Sequence, residues 1–241
     1  MTQHTNALGQ PVGFPIASWQ PPPFPTRDPM VGRTCTVRPL DAEKDSAALY
    51  SAWSLEPTGR NYTYLSYEPF RDEAGCRKAL ETFQAGRDPF FHTIVAHDTG
   101  KPVGVASLMR IDPPNGVIEV GHINYSPLLQ STTAATEAMY LMMARAFALG
   151  YRRYEWKCDT NNAPSKAAAA RLGFQYEGHF RQAVVYKSRN RDTDWFSILD
   201  SEWPALKAAF ETWLDPANFD GKGRQRQSLS TLTKAARAGM G

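Results

Sequence analysis

With 241 residues, 42% of them hydrophobic, and a formal net charge of +3, the chain has apolar mass for one sizeable domain with extensions or for two small domains. So small a positive balance gives no argument for nucleic acid, and no apolar run approaches the ~20 residues of a membrane helix. Cys35, Cys76 and Cys158 fit neither a disulfide framework nor a zinc-ligand pattern, and the first residues lack the basic-then-apolar order of a signal peptide, so the expectation is a cytoplasmic protein with reduced thiols and no metal.

Residues 1–33 read as a proline-rich arm. Seven of the eighteen prolines fall within residues 1–30, a density that excludes regular helix or sheet. Phe14, Trp19 and Phe24 favour an extended segment lying on the domain surface, with a disordered arm as the alternative.

A short strand is predicted over residues 34–40, followed by a helix capped by Asp41 and carrying Ala47, Leu49, Tyr50 and Trp53. Residues 62–65 suit a short strand or an irregular turn. The next helix spans 71–85 and stops at Gly86. Strands at 90–97, 103–111 and 117–125, joined by turns at 98–101 and 113–116, make an antiparallel meander. A helix from about 133 to 149 places Ala138, Leu141, Met142, Arg145 and Leu149 on one stripe, with Gly150 as its cap. After a strand at 153–158, Asn162 or Ala163 caps a helix with Pro164 in its first turn. That helix ends at Gly173.

Two strands, 176–188 and 194–199, are expected to form a hairpin across residues 189–192. Trp203-Pro204 opens a last amphipathic helix bearing Leu206, Phe210 and Trp213. Residues 217–241 read as a basic tail. From Gly221 onward it holds Lys222, Arg224, Arg226, Lys234 and Arg237 and no acid, with a helix over 229–238, and it is either solvated or a docking segment. The order β-α-α-β-β-β-α-β-α-β-β-α has runs of antiparallel strands around one βαβ crossover. It predicts an α+β fold, a mixed, mostly antiparallel twisted sheet flanked by helices.

The segment most informative about function is Gln130-Ser131-Thr132-Thr133-Ala134-Ala135, between the end of a strand and the start of a helix. Such a junction aims unpaired N–H groups and the positive end of a helix dipole at one point, where a phosphate or pyrophosphate suits. It lacks the glycine and lysine pattern of a P-loop and the glycines of a dinucleotide fingerprint. An ordinary capped helix start is the other reading. A second strand-to-helix junction follows at residues 158–165. Two such junctions on neighbouring parallel strands tend to splay around one ligand.

Together these stretches resemble the GNAT superfamily of acyl-CoA-dependent N-acyltransferases, and most closely its ribosomal-protein and N-terminal acetyltransferase-like branch. Gln130 to Ala135, continuing into Thr136-Glu137-Ala138, matches the ends of the family's pyrophosphate loop, and Asn162, Ser165 and Leu172-Gly173-Phe174 match the branch's second signature. The likeness covers residues 34–214 or so, which sets the domain at 34–216. Thr133 and Ser131 stand where the family and this branch commonly have glycine, so a Cβ narrows the loop.

The resemblance implies an acetyl-CoA-dependent N-acetyltransferase whose acceptor amine attacks the thioester directly. It implies that Ile123, Asn124 and Tyr125 pair with the pantetheine arm, that residues 130–135 hold the pyrophosphate, and that Asn162 orients a pantetheine amide. Glu119 is the first choice for the base and Ser165 for the group facing the departing sulfur. His122 is an alternative base, placed by odd spacing on the other sheet face unless a bulge intervenes. The hairpin cations Arg181, Lys187, Arg189 and Arg191 suggest an acidic acceptor or simply a solvated hairpin. The aromatic stretch from Trp53 to Tyr67 is expected to face the acceptor, which is a protein N-terminus or a small-molecule amine. Neither a membrane nor a nucleic acid is expected as partner, and a homodimer is left open. The alternative is a non-catalytic, CoA-binding or degenerate module with a regulatory role.

Overall fold

The computed structural model describes residues 4–239; the first three residues of the arm and the last two of the tail lie outside the described residues. Helix starts follow their caps. The Asp41 carboxylate accepts from the Lys44 N–H at 3.2 Å to open α1 (Ala42–Trp53), and Asp72 accepts from Gly75 N–H at 2.7 Å to open α2 (Glu73–Ala85). Between them, residues 62–65 form no strand; a short 3-10 turn, Arg60–Tyr62, leads into irregular backbone.

The strands β3 (Met30–Val31), β4 (Cys35–Pro39), β5 (Phe90–Ala96), β6 (Lys101–Asp112), β7 (Val117–Tyr125), β8 (Arg153–Asp159), β9 (Gln175–Tyr186) and β10 (Arg189–Leu199) form one sheet in the order β3-β4-β5-β6-β7-β8-β10-β9. Every neighbouring pair is antiparallel except β7–β8. That parallel pair needs a crossover, supplied by α3 (Thr133–Ala148). Between β8 and β9 lies α4 (Ala163–Arg171), and α5 (Trp203–Leu214) and α6 (Leu229–Ala238) close the chain. No helix among the described residues is long and apolar enough to cross a membrane.

The two sheet faces bury separate cores. Against α1 and α2 lie Leu40, Leu49, Trp53, Cys76, Leu80, Phe91 and Val105. The larger core packs Ile94, Leu108, Ile118, Val120 and Tyr154 against Met142 and Met143 of α3 and Phe210 of α5. Each of these large side chains contributes about 1.5–3 kcal/mol by leaving water. All three cysteines are buried and unpaired.

Three expectations change. The hairpin turn is at Lys187 and Ser188, both in the left-handed region with φ of 48° and 56°, and residues 189–192 continue β10. A two-residue turn of this hand is usually signalled by Asn-Gly, and Lys-Ser hides it. The arm contains sheet despite its prolines. A small pair, β1 (His4–Thr5) with β2 (Pro11–Val12), precedes β3, whose two residues carry no proline and extend the main sheet. The rest of the arm lies on the domain: the Trp19 indole donates to the Pro114 carbonyl at 3.0 Å and Tyr151 Oη to the Pro23 carbonyl at 3.2 Å, while the Arg145 guanidinium donates to Thr26 Oγ1 and to the carbonyls of Asp28 and Pro29.

The last change concerns the tail, which docks. Leu229 and Thr233 of α6 are buried, Arg237 pairs with Glu202 at 2.6 Å, and its Nε donates to the Gly173 carbonyl at 2.7 Å. Gly173 has φ of +89°, and a Cβ there would lie 2.7 Å from Leu206, which is why glycine follows Leu172 at this helix end.

Candidate active site

The parallel pair comes apart partway along. β7 and β8 are in register from Val117↔Arg153 to Val120↔Trp156, and no pairing continues although β7 runs on to Tyr125 and β8 to Asp159. The separation opens a cleft of about 2380 Å³ with α3 and α4 starting at its edges.

Residues 126–132 turn the chain from β7 into α3. Thr132 caps the helix, its hydroxyl donating to the Leu129 carbonyl at 2.7 Å and accepting from Ala135 N–H at 3.1 Å. Among the described residues the N–H groups of Ser131, Thr133 and Ala134 have no protein acceptor. Of these, Ser131 and Thr133 line the cleft and Ala134 does not, so two unpaired donors and a helix dipole stand at the cleft wall, with the hydroxyls of Ser131 and Thr133 beside them. Ser131 adopts φ of 62°, the conformation glycine would take at no cost. Thr133 is the first helical residue and needs no glycine. The Ala134 side chain is buried in the core, so only its main chain is available to a ligand. The Gln130 amide donates to the Tyr125 carbonyl at 2.8 Å and to Asn61 Oδ1 at 3.1 Å, tying the loop to β7.

The start of α4 is closed by comparison. Asn162 Oδ1 accepts from Ser165 N–H at 3.1 Å, Ala163 N–H donates to the Asn161 carbonyl, and Pro164 has no N–H. Asn162, not Ala163, is thus the cap, and its Nδ2 has no protein acceptor among the described residues. The Ser165 hydroxyl accepts from the Trp156 indole at 3.0 Å. An indole only donates, so the hydroxyl keeps its own proton to give. Burial raises the pKa of the neighbouring Cys158 thiol, partly offset by the Ser165 hydroxyl.

Of the β7 residues, Ile123 and Tyr125 line the cleft and Asn124 does not. Asn124 is buried, its carbonyl accepting from the Trp53 indole at 3.2 Å. Glu119 lines the cleft with 5% of its surface exposed. Its Oε2 accepts from Lys157 at 2.8 Å and faces Arg110 at 3.3 Å, while Lys157 also pairs with Glu155 at 2.7 Å and lies 3.6 Å from the Trp195 ring centre. Burial raises the Glu119 pKa above the usual carboxylate value against the opposing pull of Lys157 and Arg110.

A bulge does intervene in β7. Val105↔Asn124 is followed by Ser107↔Gly121, so two residues of β7 oppose one of β6, and His122 sits in it at φ of 48°. The bulge brings His122 to the same cleft as Glu119. Its Nδ1 is 3.0 Å from Ser107 Oγ, and burial, then the charge of Arg191, hold its pKa below the ordinary imidazole value.

Several wall residues lie outside the sequence motifs. Arg171 of α4 donates to Thr136 Oγ1 at 2.7 Å and sits 5.5 Å from the Trp213 ring centre, with no carboxylate within 4 Å among the described residues. Trp213, Phe219 and Gln225 close that end of the cleft, the Trp213 indole donating to Gln225 Oε1 at 2.7 Å. At the other end stand Arg110, Arg181, Arg191 and Trp195. No periodic pattern marks these positions, because they come from several elements far apart in the chain.

The family model of the acetyltransferase (GNAT) domain matches residues 35–175. A GCN5-related N-acetyltransferase from Brucella melitensis is 45% identical, with a TM-score of 0.89 over 91% of this chain and 100% of that one. A probable acetyltransferase of the GNAT family from Chromobacterium violaceum is 40% identical, with a TM-score of 0.76 over 81% and 98%. An uncharacterized N-acetyltransferase, p20, of Bacillus licheniformis is 27% identical over 176 residues, 70% of this chain and 94% of that protein.

Proposed function

The chain belongs to the GNAT acetyltransferase family, and we propose that it moves an acetyl group from acetyl-CoA to a primary amine by direct attack on the thioester. The observation that carries this reading is the parting of β7 and β8 beyond Val120 and Trp156, with the open N-terminus of α3 behind it. The site suits a long thioester with a diphosphate. The N–H groups of Ser131, Thr133 and Ala134 would hold the diphosphate, with Arg171 adding positive charge. The edge of β7 at Ile123, beyond its pairing with β8, would take the pantetheine arm with Tyr125 beside it, and Asn162 Nδ2 would donate to one of its carbonyls. Bound there, acetyl-CoA supplies the activated acetyl group.

Glu119 is the base. Its Oε1 has no hydrogen-bond or ion-pair partner among the described residues, and burial makes the carboxylate a stronger proton acceptor than an exposed one. Ser165 donates to the sulfur as the thiolate leaves, since the Trp156 indole already occupies one of its lone pairs. The bulge favours a second reading, with His122 as base: with the Ser107 hydroxyl donating to the Gly121 carbonyl at 3.2 Å, Nδ1–H donates to Ser107 and Nε2 keeps its lone pair for the cleft.

The test is a thermal-shift titration with acetyl-CoA followed by thiol release over an amine panel. Stabilisation together with release is expected. Glu119→Gln should lower kcat by 10²-fold or more with the acetyl-CoA shift intact, whereas a larger loss in His122→Gln would assign the base to His122. Stabilisation without turnover of any amine would leave a CoA-binding module, and no stabilisation would remove the reading altogether.

A further inference from the structure

The acceptor end of the cleft has an unusual balance of charge. Every carboxylate on the cleft wall is already engaged. Glu56 accepts from the N–H groups of Thr58 and Arg60, and Glu119 from Lys157. Asp159 accepts from Asn161 N–H and Tyr186 Oη, and Asp192 from Gln182 N–H and Asn190 Nδ2. By contrast, Arg181 and Arg191 have no carboxylate within 4 Å among the described residues.

Arg191 is the better built of the two. It is half-buried, whereas Arg181 is exposed. Its Nε donates to Thr193 Oγ1 at 3.2 Å, and its guanidinium carbon lies 5.9 Å from the Tyr186 ring centre. Both terminal nitrogens are left without a protein acceptor among the described residues. A guanidinium fixed through Nε presents its remaining fork to a planar or tetrahedral oxyanion, which it binds through two parallel hydrogen bonds. The fork is within electrostatic reach of the His122 ring, since its charge contributes, after burial, to the lowered imidazole pKa.

This end is also roofed. Lys187, at the hairpin turn, donates to the Tyr62 carbonyl at 2.8 Å and pairs with Glu68 at 3.2 Å, while Tyr64 Oη donates to the Asn161 carbonyl at 2.9 Å. The α1–α2 connection is thereby tied to both the β9–β10 hairpin and the β8–α4 loop. An extended polypeptide crossing here would have to break these ties, whereas a small molecule would not.

We propose that the acceptor is a small primary amine carrying a carboxylate or phosphoryl group, whose oxyanion is held by the Arg191 fork while its amine faces the base. This rests on the acetyl-transfer reading above. In the reaction the amine nitrogen forms a bond to the thioester carbonyl carbon and the carbon–sulfur bond breaks. The proton lost by the nitrogen passes to the wall base and then to solvent. The thiolate leaves hydrogen-bonded to Ser165 and takes its proton from water, giving the N-acetyl product and free CoA.

The experiment pairs amines that differ in the anion: β-alanine with β-alaninamide, 2-aminoethylphosphonate with ethylamine, and, separately, a hexapeptide with a free N-terminus. Thiol release is measured with the full chain, and isothermal titration of each amine onto CoA-saturated protein gives an independent affinity. At least one anionic member is expected to exceed its neutral partner tenfold in kcat/KM and in affinity, the preferred arm telling carboxylate from phosphoryl. In Arg191→Gln that ratio should fall to within threefold of unity, with an intermediate ratio in Arg191→Lys and the acetyl-CoA thermal shift of the parent in both. Arg77→Gln, an equal charge change on α2 and off the cleft wall, should alter kcat/KM less than twofold. Equal use of neutral and anionic amines, faster acetylation of the peptide, or an unchanged preference in Arg191→Gln would overturn the proposal while leaving acetyl transfer standing. Acetyl-CoA binding with no thiol release from any amine would refute both.

Discussion

Glu137 sits in the Ala-Thr-Glu-Ala stretch after the pyrophosphate loop, and its carboxylate is directed away from the cleft. It accepts from Arg33 N–H at 2.7 Å, Thr34 N–H at 2.6 Å, Thr34 Oγ1 at 2.5 Å and Cys35 N–H at 3.2 Å. One buried acceptor thus gathers the turn between β3 and β4 onto the second turn of α3, so close that a Cβ on Gly32 would lie 2.5 Å from its carboxyl carbon. Burial alone would raise its pKa, but these donors outweigh burial and hold it below the usual value. Glu137→Ala removes four charge-assisted hydrogen bonds and strands three backbone donors. At about 1.5 kcal/mol net for each bond to the charged acceptor, less what entering water restores, the loss is about 4 kcal/mol. Glu137→Gln, which turns an NH₂ toward donors, should cost about 2 kcal/mol. Urea unfolding followed by tryptophan fluorescence measures both. Because the carboxylate fixes where α3 begins, acetyl-CoA should stabilise the Gln variant less than the parent in a thermal-shift titration. A cost below 1 kcal/mol in the Ala variant would show that the clamp does not secure this turn, and the structural role assigned to the motif glutamate would be wrong.

Other outcomes follow from single groups. Ser165→Ala is expected to lower kcat about tenfold with the thermal shift by acetyl-CoA retained; an unchanged kcat would remove the serine from the thiolate's surroundings. His92 is 2% exposed, its Nδ1 has no partner, and burial holds its pKa at about 4 against 6.5 unfolded. The unfolded chain therefore binds the extra proton first. Stability is full above pH 6.5 and falls as pH drops toward 4, by about 3 kcal/mol for this group. Urea midpoints between pH 7 and 4 should show the slope, and His92→Leu should flatten it; an equal slope in the variant would assign the loss to other groups. Ser188→Gly, which relieves a left-handed residue in the hairpin turn, should raise stability by about 0.5 kcal/mol in the same assay, and destabilisation would contradict the turn geometry.

Much of the fold was legible because its signals are local. Asp41, Asn162 and Gly150 mark helix ends by their own chemistry, and the meander from β5 to β7 follows from short β-rich runs between turn residues. The β9–β10 turn was not, since Lys187 and Ser188 adopt a backbone that their side chains do not advertise. Nor was the docking of the tail: the charge of Arg237 looks solvated until Glu202 and the Gly173 carbonyl are brought alongside.

For the site, the sequence by itself determined the two strand-to-helix junctions, and with them Glu119, Ser131, Thr133, Asn162 and Ser165 as wall residues, because each lies at a fixed offset from a cap or strand end. Only the tertiary structure decided which junction is open. Among the described residues the N–H groups of Ser131, Thr133 and Ala134 at the start of α3 have no protein acceptor, whereas at α4 those of Ala163 and Ser165 are taken by Asn161 and Asn162 and Pro164 has none. The same holds for the partners of Glu119, the bulge that turns His122 into the cleft, the burial of Asn124 under Trp53, and the convergence of Arg171 with Trp213 and of Arg191 with Arg110 and Trp195 on the cleft wall. Caps and periodicities are encoded within a few residues. Charge balance and donor satisfaction depend on groups that approach across the sheet from distant parts of the chain, and no local pattern records which of them will meet.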